Sequence, residues 1–272
     1  MFAYPYIVWM AIFIIVPMVL IGYYAFTVQE NGAFTLENFL KGFSASNMGV
    51  LFRSILLALE TTVICLLFGY PVAYILSRMK KSKAALLSTL FILPMWMNFL
   101  LRTYSWMTIL ENNGLLNRFL GFFGIGPFEM INTQGAVVLG MVYDYLPFMI
   151  VPLYTVMMKM DHSLVQAAQD LGANPFQVFT NVILPQTMQG IKTGITMVFV
   201  PSVSTFVISR MLGGGSELMV GDLIEMQFGS NNYNPNLGSA ISLVLMIIVL
   251  ICMSVMNQFD SDNIDKEGRI AI

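Results

Sequence analysis

The stretch KMDHSLVQAAQDLGANPFQVFTNVILP, residues 159–185, is the longest polar interruption between two strongly apolar segments of the chain. Ser163, followed three residues later by Gln166, fits a capping box, in which a hydroxyl and an amide satisfy each other's backbone donors at a helix start. Gly172 can end that helix because glycine adopts the left-handed conformation at no steric cost. The sequence therefore predicts a short capped helix at the start of this loop.

A second helix is predicted to follow at once. Asn174 is a favourable cap, Pro175 suits the first helical position, and Gln177 stands at the third. Its apolar positions continue to Pro185, which is expected to end it. Two capped helices in succession indicate a rigid element that another protein grips, rather than a linker.

The composition is that of an integral membrane protein. Of the 272 residues, 57% are hydrophobic and 10% are charged, whereas a soluble domain carries about 25% charged residues. A bilayer crossing needs roughly 20 apolar residues, and six runs reach that length: 3–28, 54–77, 84–110, 135–158, 187–209 and 237–259. We expect an all-α membrane protein with six transmembrane helices, forming one domain over residues 1–272.

The basic residues predict the orientation. Arg78, Lys80, Lys81 and Lys83 follow the second span within six positions. The positive-inside rule places such a cluster in the cytoplasm. With six spans, both termini and the loop 159–186 are then cytoplasmic.

Nothing in the sequence indicates an enzyme. The single histidine, His162, lies beside the loop helix, where a solvated or capping role is expected. No His and Cys spacing fits a metal site, so no catalytic residue, metal or cofactor is predicted within this chain.

Acidic residues inside the apolar runs are better indicators of function. A carboxylate in the bilayer costs on the order of 3 kcal/mol, so it usually faces a cavity or a partner. Glu60 and Asp144 are such residues. One interpretation is a path for a cation, shared with aromatic rings through cation–π attraction. The rings concerned are those of Trp96, Tyr104, Trp106, Tyr143 and Tyr145. The alternative for Glu60 is an ion pair with Arg53, two helical turns away, or a contact between helices.

The loop also resembles a known motif. QAAxxxGA at 166–173, followed by VILP at 182–185, resembles the EAA motif of the permeases of binding-protein-dependent ABC importers. The resemblance implies that a cytoplasmic ATPase grips this loop. The residues that would form the ATPase-coupling site are Ser163, Gln166, Ala167, Ala168, Gly172, Ala173, Leu184 and Pro185. Gln166 stands where the family usually has glutamate; it can still close a capping box but cannot form a salt bridge.

Most of the remaining chain resembles one branch of that family. The stretches 69–78, 93–110, 145–154 and 206–215 are similar to those of PotB-type permeases of spermidine/putrescine importers. The resemblance implies a type I ABC importer permease fold in the bacterial cytoplasmic membrane, with a cytoplasmic coupling helix between spans 4 and 5. Arg210 departs from the acidic residue that such permeases often have.

The same resemblance implies partners. These are a second, PotC-like permease, a cytoplasmic ATPase dimer that carries ATP and Mg²⁺, and an extracytoplasmic polyamine-binding protein, with no nucleic acid.

Three alternatives remain at this stage. A related ABC importer for iron, thiamine or phosphonate would have the same loop. A self-sufficient secondary transporter would require paired intramembrane charges and inverted repeats. A membrane-embedded enzyme would require a convergent catalytic set.

Overall fold

The computed structural model describes the backbone of residues 4–229 and 233–270, and the side chains of 6–80, 82–229 and 233–254. Apart from an isolated bridge between Thr27 and Phe34, the described residues are helical or irregular. The α-helices are α1 (Tyr4–Met10), α2 (Val16–Ala25), α3 (Glu37–Gly42), α4 (Ala45–Arg78), α5 (Lys81–Ile92), α6 (Phe99–Leu110), α7 (Leu115–Gly121), α8 (Gln134–Lys159), α9 (His162–Asp170), α10 (Pro175–Val178), α11 (Leu184–Ser204), α12 (Val207–Leu212), α13 (Val220–Phe228) and α14 (Pro235–Ile270). Two π-helical segments, Ala11–Ile15 and Phe179–Ile183, and one 3₁₀ turn, Leu93–Trp96, join some of them.

Four helices in the described residues are long and apolar enough to cross a membrane: Tyr6–Ala25, Ala45–Arg78, Gln134–Lys159 and Pro235–Ser254. A fifth crossing would be the bent pair Ser82–Trp96 and Phe99–Gly121, whose arms meet at 93°. These match five of the six predicted runs. Over the remaining run, 187–209, the chain forms α11, whose polar Gln186, Gln189 and Lys192 lower its hydropathy. The all-α membrane fold is confirmed, and the count of six spans stays a prediction.

The contacts divide the chain into two compact units, 1–53 with 219–272, and 54–218. In the first unit, two buried asparagines bind the carbonyls at the end of α2. Asn236 Nδ2 donates to Tyr24 O at 2.9 Å and to Thr27 O at 2.6 Å. Asn38 Nδ2 donates to Ala25 O at 3.1 Å and to Thr27 O at 2.9 Å. Since the last carbonyls of a helix have no partner within it, these side chains stabilise the end of the first span. The prediction of a single domain remains untested.

The second unit is built on the packing of α8 against α11. Glycines allow this close approach: a Cβ at Gly190 would lie 3.2 Å from Leu153 Cα and from Pro152 O. The core around this contact contains Cys65, Met149, Leu153, Met157 and Val198, none of them more than 8% exposed. Small residues at a helix contact are typical of membrane proteins, where helices associate by close packing.

Candidate functional site

The loop between α8 and α11 begins with a helix cap that differs from the predicted one. The N-cap of α9 is Asp161, whose Oδ1 accepts the backbone N–H of Ser163 at 2.9 Å. The predicted Ser163–Gln166 capping box is therefore wrong, because the helix starts at His162 and leaves both residues inside it. The bond from Ser163 favours the ionised carboxylate and holds the pKa of Asp161 below its ordinary value.

The end of α9 is as predicted. Gly172 has φ +83°, in the left-handed region. The N–H of Ala173 bonds Ala168 O at 3.0 Å, and the N–H of Gly172 bonds Gln169 O at 2.9 Å. These two bonds form a Schellman motif, which satisfies the carbonyls at the helix end. The turn between α9 and α10 is thus held by the backbone itself.

The start of the second loop helix is confirmed and its end is not. Asn174 Oδ1 accepts the N–H of Gln177 at 2.8 Å, and Gln177 Oε1 accepts the N–H of Asn174 at 2.9 Å, which is a complete capping box. Pro185 does not end this helix. Instead the chain widens into the π segment Phe179–Ile183, in which the N–H of Leu184 bonds Phe179 O, and continues as α11.

This continuity has a physical reason. Proline lacks an N–H and its ring crowds the carbonyl four residues earlier. A π turn directly before it supplies the extra residue that relieves this crowding. The second loop helix and the long helix α11 are therefore one mechanical element.

A small core holds the loop together. Val165 and Val178, from the two loop helices, are buried with Met160 and Ile183, and Ala168 and Ala173 pack against them. Three other apolar side chains point away from this core: Leu164 is 50% exposed, Leu171 is 89% exposed and Phe176 is 73% exposed. These three side chains are therefore free to contact another protein.

The loop is also attached to the second span. The rings of Tyr70 and Phe179 meet edge to face at 5.7 Å between centroids. Tyr70 Oη lies 2.9 Å from Thr187 Oγ1, and Thr187 is fully buried. These contacts join α4 to the π segment and to α11 at the level of the loop.

A cleft opens beside this attachment. Its volume is about 430 Å³, and it is lined by α4 residues Tyr74 and Arg78 and by the loop helices. Arg78 Nη2 donates to Tyr74 Oη at 3.2 Å, and its guanidinium lies 5.2 Å from the centre of that ring. His162, Gln166 and Gln169 are on its rim. The basic end of α4 therefore faces the loop between α8 and α11.

The predicted coupling residues occupy both sides of this loop. Ala168, Ala173 and Leu184 are half-buried. Ser163, Gln166, Ala167, Gly172 and Pro185 are exposed. Their positions leave the ATPase-coupling role a prediction.

The predicted path residues fall into two groups, and the first surrounds Asp144 on α8. Asp144 is 3% exposed, and its Oδ1 lies 2.7 Å from Arg102 Nε on α6. Arg102 Nη1 also donates to Pro94 O at 2.8 Å, across the bend between α5 and α6. Asn98 caps α6 by accepting the N–H groups of Leu100 and Leu101. The ion pair and the cap together fix the bend.

Aromatic rings surround this pair. Arg102 lies 5.9 Å from the ring centre of Tyr143, and the rings of Tyr143 and Trp106 meet at 5.3 Å. Tyr145 Oη lies 3.5 Å from Pro201 O, in the last turn of α11 before the break at Thr205. Residues 143–145 thus contact α6 on one side and the last turn of α11 on the other. Interrupted helices within a membrane protein mark cavities and paths, because freed backbone groups need partners there.

The second group is exposed. Trp96, at the bend, is 87% exposed, and Tyr104 is 55% exposed. Glu60 on α4 is exposed, and both interpretations given for it stay predictions. The structure does not bring Glu60 together with the Asp144 cluster. The predicted site did not include Arg102. An arginine in one apolar run and an aspartate in another could have indicated that the two form an ion pair.

Comparison with known proteins identifies the family. Residues 66–261 match the family described as "Binding-protein-dependent transport system inner membrane component". The chain belongs to this family. Its membership confirms a multi-pass protein of the cell membrane with a non-catalytic, permease character.

Several curated relatives of this permease are similar over most of their length. The spermidine/putrescine transport system permease protein PotB of Haemophilus influenzae is 37% identical over 254 residues, which cover 91% of this chain and 88% of the relative. PotB of Escherichia coli is 36% identical over 248 residues, covering 89% and 90%. The inner membrane ABC transporter permease protein YdcU of Escherichia coli is 27% identical over 250 residues, covering 86% and 79%.

Solved structures confirm the permease fold. A chain of a bacterial ABC transporter involved in the import of the acidic polysaccharide alginate has a TM-score of 0.75 at 18% identity, covering 95% of this chain and 93% of that one. The same kind of transporter in complex with an alginate pentasaccharide-bound periplasmic protein has a TM-score of 0.74 at 17% identity, covering 94% and 91%. At this identity the likeness concerns the fold alone.

Proposed function

We propose that this permease forms, with a second permease, the translocation path of an ATP-driven importer for polyamines such as spermidine and putrescine. The observation that carries the proposal is the similarity to PotB permeases at 36–37% identity over about nine tenths of the chain. An uptake assay would distinguish this proposal from an importer of iron, thiamine or phosphonate. The partners would be a PotC-like permease, a polyamine-binding protein outside the cell and a cytoplasmic ATPase dimer.

The loop between α8 and α11 would be the docking site of the ATPase. Its exposed apolar residues, Leu164, Leu171 and Phe176, are carried on two capped helices around their own small core. Such residues give a partner apolar area to bury, at about 25 cal/mol per Å². This arrangement supports the coupling role, and it requires the loop to be on the cytoplasmic side, as are both termini.

Motion of the loop would reach the membrane through α11. The capped α10 continues through the π segment into α11 without a break until Thr205. Tyr70 contacts this element at Phe179 and Thr187, which ties α4 to the same movement. A rigid connection of this kind lets ATP binding bias an alternating-access equilibrium, since the ATPase then has different contacts in the two states.

The substrate path would use the carboxylates and aromatic rings near the helix breaks. Glu60, Trp96 and Tyr104 are exposed and available to an amine. Asp144 is paired with Arg102, so a passing cation would have to replace the guanidinium to reach it. We propose that Glu60 is the first acidic contact in this chain and that the Asp144 cluster shapes the helix breaks.

The docking role is tested by co-purification of the cognate ATPase with the full permease complex. We expect Leu171→Ser with Phe176→Ser to reduce the amount of retained ATPase at least fivefold, since both apolar contacts are lost. Asn181→Ser, at an exposed polar position of the same loop, is the matched control and should retain it. Undiminished retention by the double variant in a correctly assembled complex would reject the docking site.

A further inference from the structure

The connection between α6 and α8 carries an unusual apolar surface. Residues 119–128, FLGFFGIGPF, contain no charged or polar side chain. In the part that the structure describes, Phe119 is 60% exposed, Phe122 is 90%, Phe123 is 66% and Phe128 is 50%. We call residues 119–128 the apolar loop.

The apolar loop is held closed by one buried side chain. Asn117, which is 6% exposed, donates from Nδ2 to Phe128 O at 2.9 Å and to Glu111 O at 3.3 Å. Its Oδ1 accepts the N–H of Phe128 at 3.0 Å. The two ends of the loop are thereby joined, and the phenylalanine rings project from a fixed frame.

The backbone at the tip has internal partners as well. The N–H groups of Phe122, Phe123 and Gly124 bond the carbonyls of Phe119, Leu120 and Gly121 at 2.9 to 3.2 Å. The N–H of Ile125 also bonds Leu120 O at 3.2 Å, and Pro127 has no N–H. These bonds lower the cost of placing part of the backbone in lipid, where no water is available to bond it.

We propose that the apolar loop inserts into the lipid bilayer and anchors the connection between α6 and α8 there. The loop is continuous with the bent pair Ser82–Trp96 and Phe99–Gly121, which is apolar enough to be a membrane segment and already includes Phe119. Because the apolar loop directly follows this membrane segment in the chain, it must lie close to the bilayer.

The composition favours lipid over a soluble protein as the occupant. Non-obligate protein–protein interfaces contain about one hydrogen bond per 100–200 Å². Residues 119–128 have no polar side chain that could form such a hydrogen bond. Contiguous exposed apolar patches of this kind are rare on surfaces that stay in water. Phenylalanine and leucine on a short segment are typical of insertion at the membrane interface.

The test measures the depth of the loop in the bilayer. Phe122→Cys is introduced in the full-length chain with Cys65→Ala and Cys252→Ser, and an environment-sensitive fluorophore is attached to the single thiol. The protein is placed in nanodiscs of phosphatidylcholine and phosphatidylglycerol whose acyl chains carry a nitroxide quencher at carbon 5 or carbon 12. Asn113→Cys, exposed just before the loop, is the matched control, and Phe123→Cys replaces Phe122→Cys if the first variant does not fold.

We expect the fluorophore at Phe122 to be quenched at least threefold more strongly than at Asn113, with a blue-shifted emission. Equal quenching at the two positions would overturn the proposal, since the loop would then lie in water. A blue shift of the fluorophore emission that arises only after the second permease or the binding protein is added would also overturn the proposal. The apolar loop would then be covered by a protein and not by lipid.

Discussion

Arg102 Nε lies 2.7 Å from Asp144 Oδ1, and the two side chains are 9% and 3% exposed. The same guanidinium donates to Pro94 O at 2.8 Å. This pair therefore joins α8 to both arms of a helix pair bent by 93°. Tyr145, the next residue on α8, lies 3.5 Å from Pro201 O in the last turn of α11.

Removing one partner of this pair should be more harmful than removing both. Breaking a buried pair costs about 3–5 kcal/mol because an uncompensated charge remains, whereas an apolar replacement of both is often neutral. We expect Asp144→Leu and Arg102→Met each to lower the melting temperature of the purified complex, and the double variant to recover most of the loss.

The exposed pair Lys41–Glu37, with side chains 57% and 61% exposed, is the matched control. Lys41→Met should cost no more than about 0.5 kcal/mol. If Asp144→Leu left the melting temperature unchanged while raising the KM for the substrate, Asp144 would be a path residue rather than part of a structural pair.

Gly190 should be less tolerant of substitution than Gly194, although the shorter contact is at Gly194. A Cβ at Gly194 would lie 2.6 Å from Met149 Sδ, part of a flexible side chain, whereas one at Gly190 would lie 3.2 Å from two backbone atoms of α8. The flexible side chain can move and the backbone cannot move alone. We expect Gly190→Ala to lower thermal stability by more than Gly194→Ala.

A control for both is Gly22→Ala in α2, where nothing lies within 4 Å of the new Cβ. That change should be neutral or stabilising, by up to about 1 kcal/mol, because alanine favours a helix over glycine. Equal losses for Gly190→Ala and Gly22→Ala would show that α8 and α11 do not need this close approach.

The Asp161 cap should control the stability of α9. Asp161→Ala removes the acceptor of the Ser163 N–H, and we expect faster hydrogen–deuterium exchange across 163–166. Asp161→Asn keeps an acceptor and should have a smaller effect. Equal exchange in the two variants would show that the charge of Asp161, and not its hydrogen bond to Ser163, stabilises the helix start.

This cap also has a predicted pH dependence. Since the pKa of Asp161 is lowered in the folded loop, its contribution is complete above the ordinary aspartate pKa of about 4. It is lost as the pH falls through the lower, folded value. The protection factors of the α9 amides, which correct for the intrinsic pH dependence of exchange, should therefore be unchanged between pH 5 and 7 and should fall only in acid.

Glu60→Gln tests the path. An exposed contact between charges is worth about 1 kcal/mol or less, which corresponds to about a fivefold increase in the KM for spermidine at unchanged kcat. Glu111→Gln, at another exposed carboxylate, should leave KM as it was. If both variants behaved alike, Glu60 would have no specific contact with the substrate.

The sequence predicts local features of the loop better than its contacts. The Asn174–Gln177 box and the left-handed Gly172 depend on neighbouring residues, and both are present. Ser163 and Asp161 are competing caps two residues apart, and the sequence alone favoured the wrong one. The helix continues past Pro185 through a π turn, and the contact of Thr187 with Tyr70 joins residues more than a hundred positions apart. Neither feature depends on neighbouring residues alone.

The bend between α5 and α6, and the ion pair that spans it, could not be predicted from the sequence for a similar reason. Arg102 and Asp144 lie on different helices, and their contact depends on how each helix is rotated about its axis. The apolar runs predicted where helices lie in the sequence, but not that one would break beside Trp96. The charges in those runs indicated that a partner was needed without indicating which residue it was.

In the proposed function, the ATPase drives polyamine import through the loop between α8 and α11. The most direct measurement is ATP-dependent uptake of radiolabelled spermidine into proteoliposomes that contain both permeases, the ATPase and the binding protein, with wild type compared with the Leu171→Ser, Phe176→Ser variant. We expect uptake that requires ATP and falls at least tenfold in the variant, while spermidine binding to the binding protein is unchanged. Uptake by this permease without the ATPase, or full uptake by the variant, would contradict it.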